Sequence, residues 1–226
     1  MQKQTSGWKL KDDKKSFIKV NEVFFDIEGE GQYQGYPTLF IRLTGCNLRC
    51  RWCDTKDAYK NGEIMSVKGI LRAIKTSPYK YVNITGGEPL CRKEEVVSLI
   101  KQVKKFEILK AQRLGKTISV ETNGAISIKN VPADNISMDL KLPSSGEHGK
   151  MMLSNLKLLR SKDQLKLVIG SQKDMACAAK ILKKHPVKCV VFAQPVYGKF
   201  KLDRIKEYVM KNKLGWKVSV QLHKVV

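Results

Sequence analysis

Apolar residues recur along this chain with two different periods. Short β-rich runs take turns with longer stretches in which apolar positions return every three to four residues. Phe17 to Phe25 is the first extended stretch, and Thr38 to Thr44 (Thr-Leu-Phe-Ile-Arg-Leu-Thr) reads as a strand. Ser66 to Ser77 opens on a hydroxyl cap and sets Val67, Ile70, Leu71 and Ile74 on one helical face. Tyr81 to Thr85 is a short strand that ends at two glycines. Arg92 to Leu114 has the stripe Val96, Leu99, Ile100 and Val103 of a long helix. Strands follow at Thr117 to Val120 and Ile136 to Leu140, and a helix at His148 to Arg160. A strand at Gln164 to Ile169, a helix at Gln172 to Lys184, a strand at Val187 to Phe192, a helix at Leu202 to Asn212 and a last strand at Trp216 to Leu222 complete the pattern.

Strands alternating with helices imply βαβ units around a parallel sheet, an α/β fold. Short buried strands with helices outside suggest a barrel or an open part of one. No internal repeat and no dividing linker is visible. Residues 1–16 read as a basic flexible arm, and 17–226 as a single domain. In such a sheet chemistry belongs at the C-terminal ends of the strands, and every notable motif falls there.

Composition narrows the class. The chain has 226 residues, 42% of them hydrophobic, enough for a sizeable core. No apolar run is long enough for a membrane span, and the lysine-rich start lacks the apolar segment of a secretory signal. The expected compartment is the reducing cytosol. Forty-three Lys and Arg against 21 Asp and Glu give a net charge of +22. That field favours anionic partners, including an acidic redox protein. The lysines are spread along the chain without an arginine-and-aromatic cluster, so direct nucleic-acid binding is not required by them.

The sharpest chemical feature is Cys46, Cys50 and Cys53 in one short loop. Three soft thiolates on one side of a site suit an iron–sulfur cluster or zinc. A closed structural zinc site takes four ligands, whereas no fourth cysteine is near and the nearest histidine is His148. Disulfides are disfavoured in a long, cysteine-poor chain of this kind. A four-iron cubane held by three cysteines would keep one iron open to a cofactor. The other cysteines, Cys91, Cys177 and Cys189, read as buried thiols.

Three further motifs close strands. Gly86-Gly87-Glu88-Pro89 lets a ligand approach the backbone, with Glu88 and nearby carbonyls suited to an ammonium group; a plain glycine turn is the simpler alternative. Glu121-Thr122-Asn123-Gly124 offers a carboxylate and an amide to a diol, and is also an ordinary turn signal. Ser137-Met138-Asp139-Leu140-Lys141 offers a hydroxyl, an acid and a cation, with a Lys141–Asp139 salt bridge as the simpler alternative.

In order, a strand with CxxxCxxC, a strand with GGEP and a strand with ETNG resemble the radical S-adenosylmethionine superfamily. The resemblance implies a partial, open (β/α)6-type barrel with a basic N-terminal extension. It implies a 4Fe-4S cluster on Cys46, Cys50 and Cys53, and S-adenosylmethionine bound at Gly86, Gly87, Glu88, Glu121, Asn123, Ser137, Lys141 and Gln194. A narrower likeness lies in Glu28-Gly29-Glu30-Gly31, Gly35, Pro37, Arg42, Asp54-Thr55 and the tail Gln221-Leu222-His223-Lys224. These segments are similar to the 7-carboxy-7-deazaguanine synthase family of lyases. That family makes 7-carboxy-7-deazaguanine from 6-carboxy-5,6,7,8-tetrahydropterin for queuosine and archaeosine, with ring contraction and ammonia release. The likeness implies Mg2+ at Thr55 and a pterin at Glu28, Glu30, Arg42 and His223, with Glu28 departing from the family's usual glutamine. It also implies a one-electron donor such as flavodoxin or ferredoxin, and a homodimer is an open possibility. A glycyl-radical-enzyme activase and a basic RNA-binding protein with a structural cluster are the alternative readings.

Overall fold

A computed structural model of the chain describes residues 17–109 and 115–225. The basic arm expected at 1–16 and the end of the helix expected to reach Leu114 lie outside the described residues. Within them, one sheet contains β1 (Phe17–Ile27), β2 (Pro37–Leu43), β3 (Glu63–Ser66), β4 (Tyr81–Gly86), β5 (Thr117–Thr122), β6 (Asn135–Asp139), β7 (Gln164–Ile169), β8 (Val190–Pro195) and β9 (Lys217–Val218). The order is β3-β1-β2-β4-β5-β6-β7-β8-β9. The edge strands do not meet, so the barrel is open and partial.

The expectation of a parallel sheet needs one correction. β2 and β4 to β9 run parallel, but β1 is antiparallel to β2 and to β3. The short chain reversal from Ile27 to Pro37 allows a hairpin, whereas a parallel return needs a long crossover. β3, four residues long, gave too short a pattern to be read from the sequence.

The helices are α1 (Val67–Thr76), α2 (Lys93–Leu109), α3 (Gln172–Lys184) and α4 (Leu202–Lys211). Ser66 Oγ accepts from Gly69 N at 3.1 Å and Ser171 Oγ from Asp174 N at 3.2 Å, so hydroxyl caps start α1 and α3. The helix expected at His148 to Arg160 is instead two 3-10 stretches, His148–Lys150 and Leu153–Leu158. Tertiary bonds override the local pattern there. Buried Asn155 donates to Gly124 O at 3.1 Å and Ile126 O at 2.8 Å and accepts from Ile128 N at 3.1 Å. Met152 N donates to Gly124 O at 3.2 Å instead of joining a helical ladder. β8 starts three residues later than expected, and the last strand shrinks to two residues. Beyond it the chain leaves the sheet, because Leu222 N donates to Gly29 O and Gln34 Nε2 to Val220 O.

Strand alternation explains both core and site. Leu39, Ile41 and Leu43 on β2, Val82 and Ile84 on β4, Ile118 and Val120 on β5, Ile136 and Met138 on β6, and Leu165, Leu167 and Ile169 on β7 belong to the apolar core. The residues between them include Arg42, Asn83, Thr85, Glu121, Asp139 and Lys166. Parallel strands covered on both faces are usually apolar throughout. Here the concave face is polar, so the sheet has a packed outside and a chemical inside. Among the described residues no helix is long and apolar enough to cross a membrane.

Candidate active site

The polar inner face and the strand ends enclose a cavity of about 560 Å3. Cys46, Cys50 and Cys53 are among the residues that line it. Their loop leaves β2 through Gly45, whose φ of +105° suits glycine. Its ends are tied down: Gly45 N donates to Ala58 O at 2.8 Å, Glu88 N to Gly45 O at 2.7 Å and Arg51 N to Ser145 O at 3.1 Å. Leu48 is buried as a plug, and the Arg49 guanidinium lies 4.3 Å from the centre of the Tyr59 ring.

The thiols themselves are free and half-buried. Burial is the first cause that pushes the Cys46 and Cys50 thiols up, and neighbouring acidic groups and thiols push the same way. Metal binding would therefore release protons from them. Leu48 N donates to Cys46 Sγ at 3.4 Å. Among the described residues no three His, Cys, Asp or Glu side chains close on a single-ion position. The donor set fits a larger group in which each sulfur takes its own iron, and leaves a fourth iron without a protein ligand. Cys91, expected as a buried thiol, is exposed; Cys177 is half-buried and Cys189 buried.

The Gly86-Gly87 backbone packs directly behind the cysteine loop. A Cβ on Gly87 would run into Gly45 O and lie 2.9 Å from Cys46 Cβ, so only glycine fits. Gly86, Gly87, Glu121, Asn123 and Lys141 line the cavity. Asn123 Nδ2 donates to Asn47 Oδ1 at 2.8 Å, joining the end of β5 to the cysteine loop. Lys141 Nζ sits 2.5 Å from Asp139 Oδ2, so the salt bridge forms within the cavity wall.

Three residues expected to hold S-adenosylmethionine are not brought to the cavity wall. The Glu88 carboxylate is 1% exposed and accepts from Leu90 N, Thr122 Oγ1 and Asn123 N at 2.9, 2.8 and 2.6 Å. It clamps the GGEP loop to β5, and burial pushes its pKa up to about 7. Ser137 is buried and accepts from Gln164 Nε2 at 2.7 Å. Gln194 is fully buried, with Ser219 Oγ donating to its Oε1 at 3.4 Å.

Glu28, Glu30, Arg42, Thr55 and His223 all line the same cavity. Glu28 Oε2 accepts from Asn83 Nδ2 at 2.8 Å. Burial, then the charge of Glu121, push Glu28 up to about 7. Arg42 Nε donates to Glu22 Oε1 at 2.7 Å and leaves part of its guanidinium to the cavity. His223 Nε2 lies 3.9 Å from Asp54 Oδ2, and Lys224 Nζ lies 3.0 Å from the same oxygen. The Asp54 partner holds the imidazole above its ordinary pKa. A Cβ on Gly29 would run into the His223 ring, which is how the tail reaches the hairpin.

Sequence reasoning missed Lys166. It is 3% exposed and bonds Glu30 Oε2 at 2.6 Å, Glu121 Oε1, and Asp139 Oδ1 at 3.4 Å. The available signal was a lone lysine inside the apolar strand Gln-Leu-Lys-Leu-Val-Ile. Gln221, whose Nε2 donates to Glu30 Oε1 at 2.7 Å, was noticed only as part of a motif.

Comparison with known proteins agrees with this geometry. The model of the radical SAM superfamily matches residues 40–162. A 7-carboxy-7-deazaguanine synthase from Methanospirillum hungatei JF-1 is 41% identical over 212 residues, covering 93% of this chain and 86% of the relative. The chain belongs to the 7-carboxy-7-deazaguanine synthase family within the radical SAM superfamily. A family member from Thermoplasma acidophilum is 34% identical over 210 residues, covering 92% of this chain and 96% of the relative. The solved structure of QueE from Escherichia coli overlays with a TM-score of 0.73 at 23% identity, covering 92% of this chain and 95% of that one, and shares the fold. Membership makes the chain an enzyme and implies a 4Fe-4S cluster and S-adenosylmethionine as its cofactors. The activase and RNA-binding readings have no comparable support.

Proposed function

We propose that this enzyme converts 6-carboxy-5,6,7,8-tetrahydropterin to 7-carboxy-7-deazaguanine, with ring contraction and loss of ammonia, for 7-deazapurine tRNA modification. The observation that carries this reading is one cavity lined by three free thiols together with Glu28, Glu30, Arg42 and His223.

Cys46, Cys50 and Cys53 would hold the cluster. When bound, the cluster and S-adenosylmethionine supply one-electron chemistry that removes a hydrogen from the substrate. The chain's own groups bind and orient. Gly86 and Gly87 open room beside the cysteines for the methionine end, and Glu121 and Asn123 offer acceptors and donors to the ribose hydroxyls. Lys141 adds a fixed positive charge; Asp139 beside it keeps it charged. Glu88, Ser137 and Gln194 stand behind this wall and support it.

In the same cavity Glu30 suits the guanidine-like edge of a pterin, since a carboxylate can accept two parallel bonds. Arg42 and the cationic form of His223 suit the substrate carboxylate. Thr55, whose hydroxyl lies 3.8 Å from Cys53 Sγ, gives Mg2+ one ligand while substrate oxygens and water supply the rest. The net charge of +22 suits an acidic one-electron donor such as flavodoxin or ferredoxin. Residues 17–226 act as one catalytic domain in the cytosol.

Anaerobic reconstitution with iron and sulfide, followed by reductant, S-adenosylmethionine, Mg2+ and the carboxytetrahydropterin, tests the assignment. The expected products are 5′-deoxyadenosine or its reutilised cofactor, together with the deazaguanine acid. Cofactor cleavage without the deazaguanine acid would reject the substrate and keep the chemistry.

A further inference from the structure

Lys166 has no assigned part in either ligand, yet it joins the two sides of the cavity. Its ammonium has three protons. Two go to Glu30 and Glu121, and the third side meets Asp139 at 3.4 Å. Each of these carboxylates uses its other oxygen on a further partner. Glu30 Oε1 accepts from Gln221 in the C-terminal segment at 2.7 Å, Glu121 Oε2 from Thr85 on β4 at 3.1 Å, and Asp139 Oδ2 from Lys141 at 2.5 Å. With these three acids around it and 3% exposure, the ammonium has little room to meet a ligand itself. It acts through the acids.

We propose that Lys166 is a positioning residue that couples the two ligands, because one buried ammonium holds Glu30 on the pterin side and Glu121 on the S-adenosylmethionine side. This rests on the functional reading above. A ligand that draws on Glu30 changes how the ammonium is shared with Glu121, and the reverse. Each ligand also fixes a carboxylate rotamer that the other would otherwise have to order. The three acids keep the lysine charged, so the link persists across the working pH range. Coupling of this kind is reciprocal: each ligand must change the affinity of the other by the same factor.

The test uses holoenzyme with its cluster left unreduced, so that both ligands bind without turnover. S-adenosylmethionine is titrated calorimetrically with and without saturating carboxytetrahydropterin, and then in the opposite order. Wild type is expected to bind the second ligand about tenfold more tightly than the first-ligand-free protein does. In Lys166→Met the factor should fall to about one, whatever happens to the separate affinities. A lysine that merely stabilises the wall would shift both affinities and leave their ratio unchanged, which overturns the proposal. If Lys166→Met loses its circular dichroism signal, Lys166→Met with Asp139→Asn, which removes one stranded charge, takes its place. Failure of both variants to fold assigns Lys166 a purely structural role and overturns the coupling. Wild type that binds both ligands independently overturns the proposal alone. Wild type that binds the cofactor but no pterin overturns the functional reading, and the proposal with it.

Discussion

The two sides of the cavity are prepared for their ligands in opposite ways. On the cysteine side the backbone is fixed at its ends, the three thiols are free, and burial pushes the Cys46 and Cys50 thiols up. On the strand side the carboxylates of Glu30, Glu121 and Asp139 already have partners on Lys166, Lys141, Gln221 and Thr85. On the proposed reading the thiol side would gain its order from the group it receives, because ligands must lose protons and close around a metal. The ionic side is ordered beforehand, which suits recognition of polar ligands by position and charge. Glu28 lies between these conditions. Among the described residues it has amide donors but no cation within ion-pair distance, and its neighbours include Glu121, Glu30 and Lys166.

The largest expected effect falls on the thiol side. Cys50→Ala should abolish iron binding and turnover, while the thermal midpoint of the cluster-free protein changes little. Iron analysis and differential scanning fluorimetry check this. Retained full activity would show that the cluster lies elsewhere.

The ionic side should behave in reverse. Lys166→Met leaves three acids without their common cation, and breaking a buried pair in this way costs about 3–5 kcal/mol of stability. Chemical denaturation of the cluster-free protein measures it. A loss below about 1 kcal/mol would mean that the acids find water or protons easily.

A smaller effect is expected at Glu28, with a definite sign. Its folded pKa, about 7, lies above its ordinary 4.5. The fold therefore holds a proton that the unfolded chain has lost. The stabilisation is complete below the ordinary value and disappears as pH rises through about 7. Glu28→Gln cannot lose it, so its thermal midpoint should gain on wild type between about pH 5 and about pH 8. Parallel pH profiles would place an ionised Glu28 in the wild-type fold. Buried Glu88 contributes a similar slope to both proteins and cancels in the comparison.

The smallest effect belongs to Thr55→Ala. One hydroxyl among several oxygen ligands should shift Mg2+ activation to higher concentration without abolishing it. An unchanged Mg2+ titration would remove Thr55 from the site.

The contrast also explains what the sequence revealed. The cysteine loop was legible because its residues are adjacent in the chain and their spacing is chemical. The helical stripes and the short strands were legible from apolar period. Lys166 was not, because its partners Glu30, Glu121 and Asp139 are far apart in sequence and meet only through strand register and the hairpin loop. Asp139 and Lys166 are register partners on β6 and β7. Glu88, Ser137 and Gln194 show the opposite failure. Their strand-end positions suggested ligand contact, but side chains alternate or fold back, and theirs are spent inside the protein. The segment His148 to Arg160 had helical spacing, yet the Asn155 bonds to the Gly124–Ile128 turn set its conformation.

The most direct test of the whole account is electron paramagnetic resonance of reduced, reconstituted enzyme before and after S-adenosylmethionine is added. A cluster held by Cys46, Cys50 and Cys53 alone has an iron open to the cofactor's amino and carboxylate groups, so its spectrum should change on addition. A spectrum that stays the same with the cofactor at saturating concentration would contradict it.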